Sequence, residues 1–278
     1  MYKAFSSGLL GFGGRSAAED APLAVKYGYE GIDFDIAKES QGDASAFRAL
    51  LEDNNLKSGG FGLPVEYRTS QEVFEADMKK LPGYCDFAKK IDTDRCVTWI
   101  LPSSDTLDYN ANFKLHKDRL TMAAKVLEEY GIRFGLEFVG PPSARAAGKY
   151  EFIHNLEGIL ELISAIGTSN LGLLMDVWHW DMAQQTPDDF KKIPNKDWVV
   201  MVHINDAPAG ISLDKQQDLS RELPGATGIL KIKEFFKGLQ SLAYDGPVYV
   251  EPFSEPLKAL PVEEAVKQAK AAMDKVWL

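Results

Sequence analysis

At 278 residues, with 45% hydrophobic and 26% charged residues and 14 prolines, the chain has the composition of a folded globular protein, which excludes a disordered or fibrous one. Its 31 basic and 41 acidic residues give a net charge of −10, which repels polyanions, so nucleic acid is not expected as a partner. The opening "MYKAFSSGLLGFGGRSAAED" holds no apolar stretch of signal-peptide length, and no later run approaches about 18 apolar residues, so a cytoplasmic location without membrane contact is expected.

The predicted elements follow in chain order. A β-like run covers 2–10 and a second, "GIDFDI", covers 31–36. A helix-like pattern at 44–55 leads to a run at 56–63 and another, "RCVTWIL", at 95–101. The helix pattern 116–131 precedes "RFGLEFV" at 133–139, and the pattern 156–167 precedes "LGLLMDV" at 171–177. "WVVMVHI" at 198–204, a helix pattern at 230–243, "PVYVEPF" at 247–253 and a closing helix at 262–277 complete the chain. Cys85 and Cys96 are too few for a disulfide framework and wrongly spaced for a zinc knuckle, so both are read as reduced structural residues.

Eight apolar strands alternating with helices predict a parallel sheet covered by helices, and eight units in this length fit a closed α/β barrel, (β/α)8, of the TIM type. Glycine-containing turns such as "KYGYEGIDF" and "AYDGPVYVEPF" suit the helix-to-strand connections. No linker or low-complexity tract interrupts the chain, so 1–278 is read as one domain.

Active sites of such barrels lie at the C-terminal strand ends. Glu137 closes "FGLEF", Asp176 closes "GLLMD", His203 closes "VVMVH" and Glu251 closes "VYVE", all on the last four strands. Two glutamates, an aspartate and an imidazole form a borderline-to-hard ligand set for one divalent ion: Mn²⁺, Mg²⁺ or Co²⁺, with Zn²⁺ a further candidate. Three carboxylates crowded together would otherwise repel one another, and a dication removes that conflict. A single strand-end carboxylate is most often a surface residue, so the set carries the expectation. His116 and His154, in helix-like segments, are read as structural.

The motifs "GLEFVGP", "MDVWHW", "VHINDAPAG", "RELPG" and "YDGPVYVEPF" together resemble the xylose isomerase-like superfamily of barrels, which holds sugar isomerases and epimerases, polyol dehydratases and endonuclease IV. The resemblance implies that Glu137, Asp176, His203 and Glu251 bind one divalent metal and that Glu137 and Glu251 also transfer protons. Removing a proton beside a ketone leaves a cis-enediolate whose charge a metal can hold, and two carboxylates can return the proton to the other face or to the next carbon. His179 matches a residue that contacts substrate oxygen in that family. Arg221 offers directed donors for a hydroxyl, carboxylate or phosphate. Trp99, Trp178, Trp180 and Phe61 fall near strand ends and suit an apolar wall against a sugar ring.

The pattern departs from two branches of the superfamily. Endonuclease IV requires three zinc ions and histidines on early strands; here there are four histidines, none before residue 116, and Ser220 and Glu222 stand where a metal-binding Asp and His belong. Against the ketose 3-epimerases, Ser143 replaces a second glutamate and Ala209 an arginine, which changes the substrate pocket. The leading expectation is a metal-dependent isomerase or epimerase acting on a small-molecule sugar or polyol. A dehydratase of a keto-inositol or 3-keto-sugar on the same centre is the alternative, and a non-catalytic sugar-binding barrel follows. A homo-oligomer is compatible with the class, although no distinctive apolar stripe marks a pairing face.

Overall fold

Eight parallel strands close on themselves: β1 (Tyr2–Phe5), β2 (Gly31–Asp33), β3 (Lys57–Gly62), β4 (Arg95–Ile100), β5 (Arg133–Phe138), β6 (Leu171–Asp176), β7 (Val199–Ile204) and β8 (Pro247–Val250). The order around the barrel is β1-β8-β7-β6-β5-β4-β3-β2, so each strand pairs with its neighbours in sequence. The computed structural model describes residues 1–278, and beside the barrel it holds one short antiparallel pair, Ser103–Ser104 with Tyr150–Glu151.

The strands β6 and β7 are buried at every position, which is why they read as continuous apolar runs and not as alternating ones. Their outward residues meet the helices in one cluster of 64 buried residues. The helix Leu156–Ile166 illustrates the pairing: Asn155 caps it, accepting from the Gly158 N–H at 2.9 Å, and Leu156, Ile159, Leu162, Ile163 and Ile166 form its buried face. At about 2 kcal/mol for each such side chain, that face contributes roughly 10 kcal/mol against the ordering of the segment.

Inside the barrel, Tyr2, Ala4, Leu174, Met201 and Tyr249 form a separate apolar floor. Tyr249 crosses the barrel toward β3, where a Cβ on Gly59 would lie 1.6 Å from its hydroxyl, so only glycine admits it. No helix is long and apolar enough to cross a membrane.

The strands are shorter than the apolar runs suggest. The run 2–10 ends at Phe5, because Leu10 turns back to donate to the Ser6 carbonyl. The run 247–253 ends at Val250, and Phe253, at φ 38°, turns the chain away. The helix expected at 116–131 starts earlier, at Tyr109, where Asp108 accepts from the Ala111 N–H at 2.9 Å. Helices Ala17–Tyr27, Gln71–Met78 and Leu81–Lys90 supply early crossovers that periodicity did not pick out. His154, read as helical, lies just before the helix that Asn155 caps.

Candidate active site

The four strand-end residues converge as barrel geometry requires. Ligand atoms of Glu137, Asp176, His203 and Glu251 all lie within 4.8 Å of one another, and all four residues are buried. Glu137 and His203 are the penultimate residues of β5 and β7, Asp176 is the last of β6, and Glu251 follows β8 with its N–H still bonded to Ile204. Asp176 is held from two sides. Its Oδ1 accepts from the Trp178 N–H at 2.6 Å, and Asn205 Nδ2 reaches both carboxylate oxygens at 3.1 and 3.2 Å.

His179 is not on a loop. Asp176 caps a short helix, Val177–Met182, and His179 sits in it, nearly without solvent exposure. The Gly140 N–H lies 3.2 Å from His179 Nδ1, and the Arg221 guanidinium lies 3.2 Å from Nε2. That nitrogen faces Asp218 Oδ1 at 3.7 Å and Glu137 Oε1 at 4.0 Å. A Cβ on Gly140 would lie 2.2 Å from the His179 carbonyl oxygen, so the close approach of the two segments demands glycine.

Arg221, its side chain 1% exposed, is the cation of the site. Its guanidinium donates to Asp176 Oδ2 at 2.8 Å, Glu251 Oε2 at 3.0 Å and Asp218 Oδ1 at 2.7 Å. It lies 5.2 Å from the Trp178 ring centroid and 4.7 Å from that of Phe253. Trp178 is thus 0% exposed and stands behind Arg221; it does not face the cavity, and the expected wall against substrate is not formed by it. Trp180 is also core, packed on Phe190 and Phe235, because the short helix turns its ring outward into the helical layer. Phe61 is buried in the barrel beside Phe34, where it lines the inner cavity together with Trp99. Trp99 alone of the three tryptophans reaches the rim, 46% exposed, with the Arg68 guanidinium 4.4 Å from its ring centroid.

A cavity of about 430 Å³ opens over the cluster, with Trp99, Leu101, Val139, Leu219 and Phe253 as its apolar wall. A deeper one of about 240 Å³ runs from Glu137, His203 and Glu251 to Ser6 and Asp33 on the other side of the barrel. Ser143, in place of the 3-epimerase glutamate, donates to the Gln216 carbonyl at 2.5 Å and ties the loop after β5 to the loop after β7.

Electrostatics separate the two glutamates. Burial, reinforced by Glu251 and Asp176, holds Glu137 well above the usual carboxylate range. Burial also acts to raise Glu251, but His203 and Arg221 outweigh it and bring Glu251 below its ordinary value. Burial brings His179 down to about 4, so it is neutral at pH 7. Across the cavity, burial raises Asp33 to about 7.

The residues fit a divalent ion on structural grounds. Glu137 Oε1 and both ring nitrogens of His203 are buried without a hydrogen-bond partner, an expensive arrangement unless something else engages them. Oxygen and nitrogen ligands of one small dication at about 2.1 Å stand at most about 4.2 Å apart, so the observed cluster needs to contract by only a few tenths of an ångström.

Sequence reasoning did not reach Asp218, Asn205 or Asp33. Asp218, three residues before Arg221, carries a signal only once the loop after β7 is known to fold over the site. Asn205 lies in "HIND", two residues after His203. Asp33 closes β2 by the same strand-end signal that singled out the other four.

A closed parallel barrel with a buried carboxylate–imidazole cluster suited to a metal ion at its C-terminal mouth defines the class, a (β/α)8 barrel enzyme. The chain belongs to the xylose isomerase-like TIM barrel family, whose model it matches over residues 21–276. An inosose isomerase of Halalkalibacterium halodurans is 27% identical over 225 residues, covering 80% of this chain and 75% of that protein. A xylose isomerase domain protein from Alicyclobacillus acidocaldarius superposes with a TM-score of 0.87 at 26% identity, covering 99% and 98% of the two chains. The IOLI protein, whose structure holds a zinc atom, superposes with a TM-score of 0.82 at 20% identity, covering 99% and 98%.

Proposed function

We propose that this protein is a divalent-metal-dependent isomerase or epimerase of a sugar or sugar derivative, with Glu137, Asp176, His203 and Glu251 as the metal ligands. The observation that carries the reading is the convergence of four buried ligand groups with three unsatisfied atoms among them. Similarity to an inosose isomerase over most of both chains favours a keto-inositol among the substrates. A bound dication would draw electron density from a substrate carbonyl and its neighbouring hydroxyl, making the C–H between them acidic.

The remaining chemistry belongs to the side chains. Glu251, ionised and fixed by Arg221, takes the proton from carbon, and Glu137, on a different strand of the same cluster, holds one to return. Return to the opposite face of the same carbon inverts it; return to the adjacent carbon moves the carbonyl. His179, held by the Gly140 N–H and the Arg221 guanidinium, lines the cavity and contacts a substrate oxygen. Trp99 covers an apolar face of the substrate at the rim and limits water access.

The test is solvent-deuterium incorporation into a panel of ketoses and keto-inositols, with metal analysis of the protein. Exchange is expected with an added divalent ion, is abolished by chelator, and falls about 10²–10⁴-fold in Glu251→Gln and Glu137→Gln. Full exchange in a metal-free, chelator-treated sample overturns the reading. A product lighter by one water assigns a dehydratase on the same centre instead.

A further inference from the structure

All of the cluster residues come from β5 to β8, yet the cavity that reaches them has a second wall, built by the first half of the barrel. On that wall the polar groups are Ser6, just past β1, Thr98 on β4, and Asp33, the last residue of β2. Around the barrel β2 lies opposite β6, so Asp33 faces the cluster from the far side of the space a substrate would fill. At about 30 Å³ for each water, the 240 Å³ between them holds roughly eight waters, the size of one monosaccharide or inositol ring.

The Asp33 carboxylate has the character of an acceptor awaiting donors. The Ser6 hydroxyl, whose oxygen accepts from the Leu9 N–H at 3.1 Å, lines the same cavity and has its hydrogen free to turn toward Asp33. The other charged groups acting on Asp33 are Asp20 and His203, and neither a lysine nor an arginine pairs with it. Arg15, which shares a pocket with Asp33, is taken: it donates to Asp20 at 2.6 Å and to the Glu19 carbonyl at 2.9 Å. A carboxyl with open acceptor positions and no free cation beside it suits neutral hydroxyls and offers no positive charge to a phosphate or carboxylate.

We propose that Asp33, oriented by Ser6, is a specificity-determining residue that accepts hydrogen bonds from hydroxyls on the end of the substrate remote from proton transfer, selecting a neutral polyol over its phosphorylated counterpart. This rests on the proposed function only for the word substrate; the site itself is defined by the cavity. Its role is binding, so the effect falls on affinity and KM with kcat changed far less. Loss of one hydrogen bond to a charged group weakens binding about 10- to 100-fold.

The experiment is calorimetric titration of the metal-loaded protein with myo-inositol, which has no carbonyl and undergoes no proton transfer, and with myo-inositol 1-phosphate. Wild type is expected to bind the neutral polyol more tightly, and Asp33→Asn, close to isosteric, to lose at least tenfold of that affinity with unchanged metal affinity and melting temperature. Ser6→Ala, which removes only the orienting hydroxyl, is expected to lose less in the same direction. The inference is overturned if wild type does not bind myo-inositol or prefers the phosphate, or if Asp33→Asn binds as wild type does. Asp33-dependent binding without deuterium exchange into any ketone would sink the isomerase reading and leave this one standing; exchange with Asp33-independent binding would do the reverse.

Discussion

Replacing Arg221 by methionine tests the charge balance of the site most directly. The guanidinium lies within 3.0 Å of Asp176, Glu251 and Asp218 oxygens, and methionine keeps much of the volume between Trp178 and Phe253 while removing the only arginine or lysine there. At an effective dielectric of about 20, a pair of unit charges about 3 Å apart attracts by roughly 5 kcal/mol, and most of this is offset by desolvation. Removing one partner forfeits the attraction and leaves the desolvated carboxylates, which costs about 3–5 kcal/mol. In a chain of this size that lowers the melting temperature of the chelator-treated protein by about 5–10 °C. A divalent ion supplies the missing positive charge, so metal should raise the melting temperature of Arg221→Met by more than that of wild type. At 100 times its Kd, the ion returns about 2.7 kcal/mol. Differential scanning calorimetry with and without metal reads both quantities. The reasoning is refuted if the metal-free variant melts within about 1 °C of wild type, or if metal stabilises the two proteins equally.

The aromatic residues give a second contrast. Trp178→Ala should destabilise the fold by about 3–5 kcal/mol in denaturant titration, because its ring is enclosed. Trp99→Ala should leave stability within about 1 kcal/mol and instead raise KM, and equal effects of the two on stability would contradict the assignment of rim and core. The cysteines give a third. Burial pushes the Cys85 thiol up to about 12 and Cys96 well above its usual value, so both are protonated at pH 8. Neither should react with a disulfide-exchange reagent until the protein unfolds, when two thiols should titrate; rapid reaction of either in the native protein would show that its burial is wrong.

Much of the architecture was legible in the chain because a parallel barrel writes itself into sequence. Strands buried on both sides are continuous apolar runs such as "LGLLMD", and a carboxylate or imidazole ending four such runs stands out from them. Since all barrel strands point the same way, residues at their C-terminal ends share one mouth, and there Glu137, Asp176, His203 and Glu251 bring their ligand atoms within 4.8 Å of one another. The sequence determined that convergence without any knowledge of packing.

Tertiary structure decided everything that depended on which way a side chain turned or what crossed the barrel. Trp178 and Trp180 flank His179, yet the turn of a short helix sends their rings into the core and leaves Trp99, far away in the chain, at the rim. Arg221 and Asp218 became site residues because the loop after β7 folds back over the mouth, where burial makes their charge pairing strong. Asp33 carried the same strand-end signal as the four cluster residues, but β2 places it opposite them, so only the closed barrel distinguishes the wall that bears the cluster from the one that faces it. Periodicity is a local property of the chain, whereas the partner of a polar group is set by contacts between residues distant in sequence.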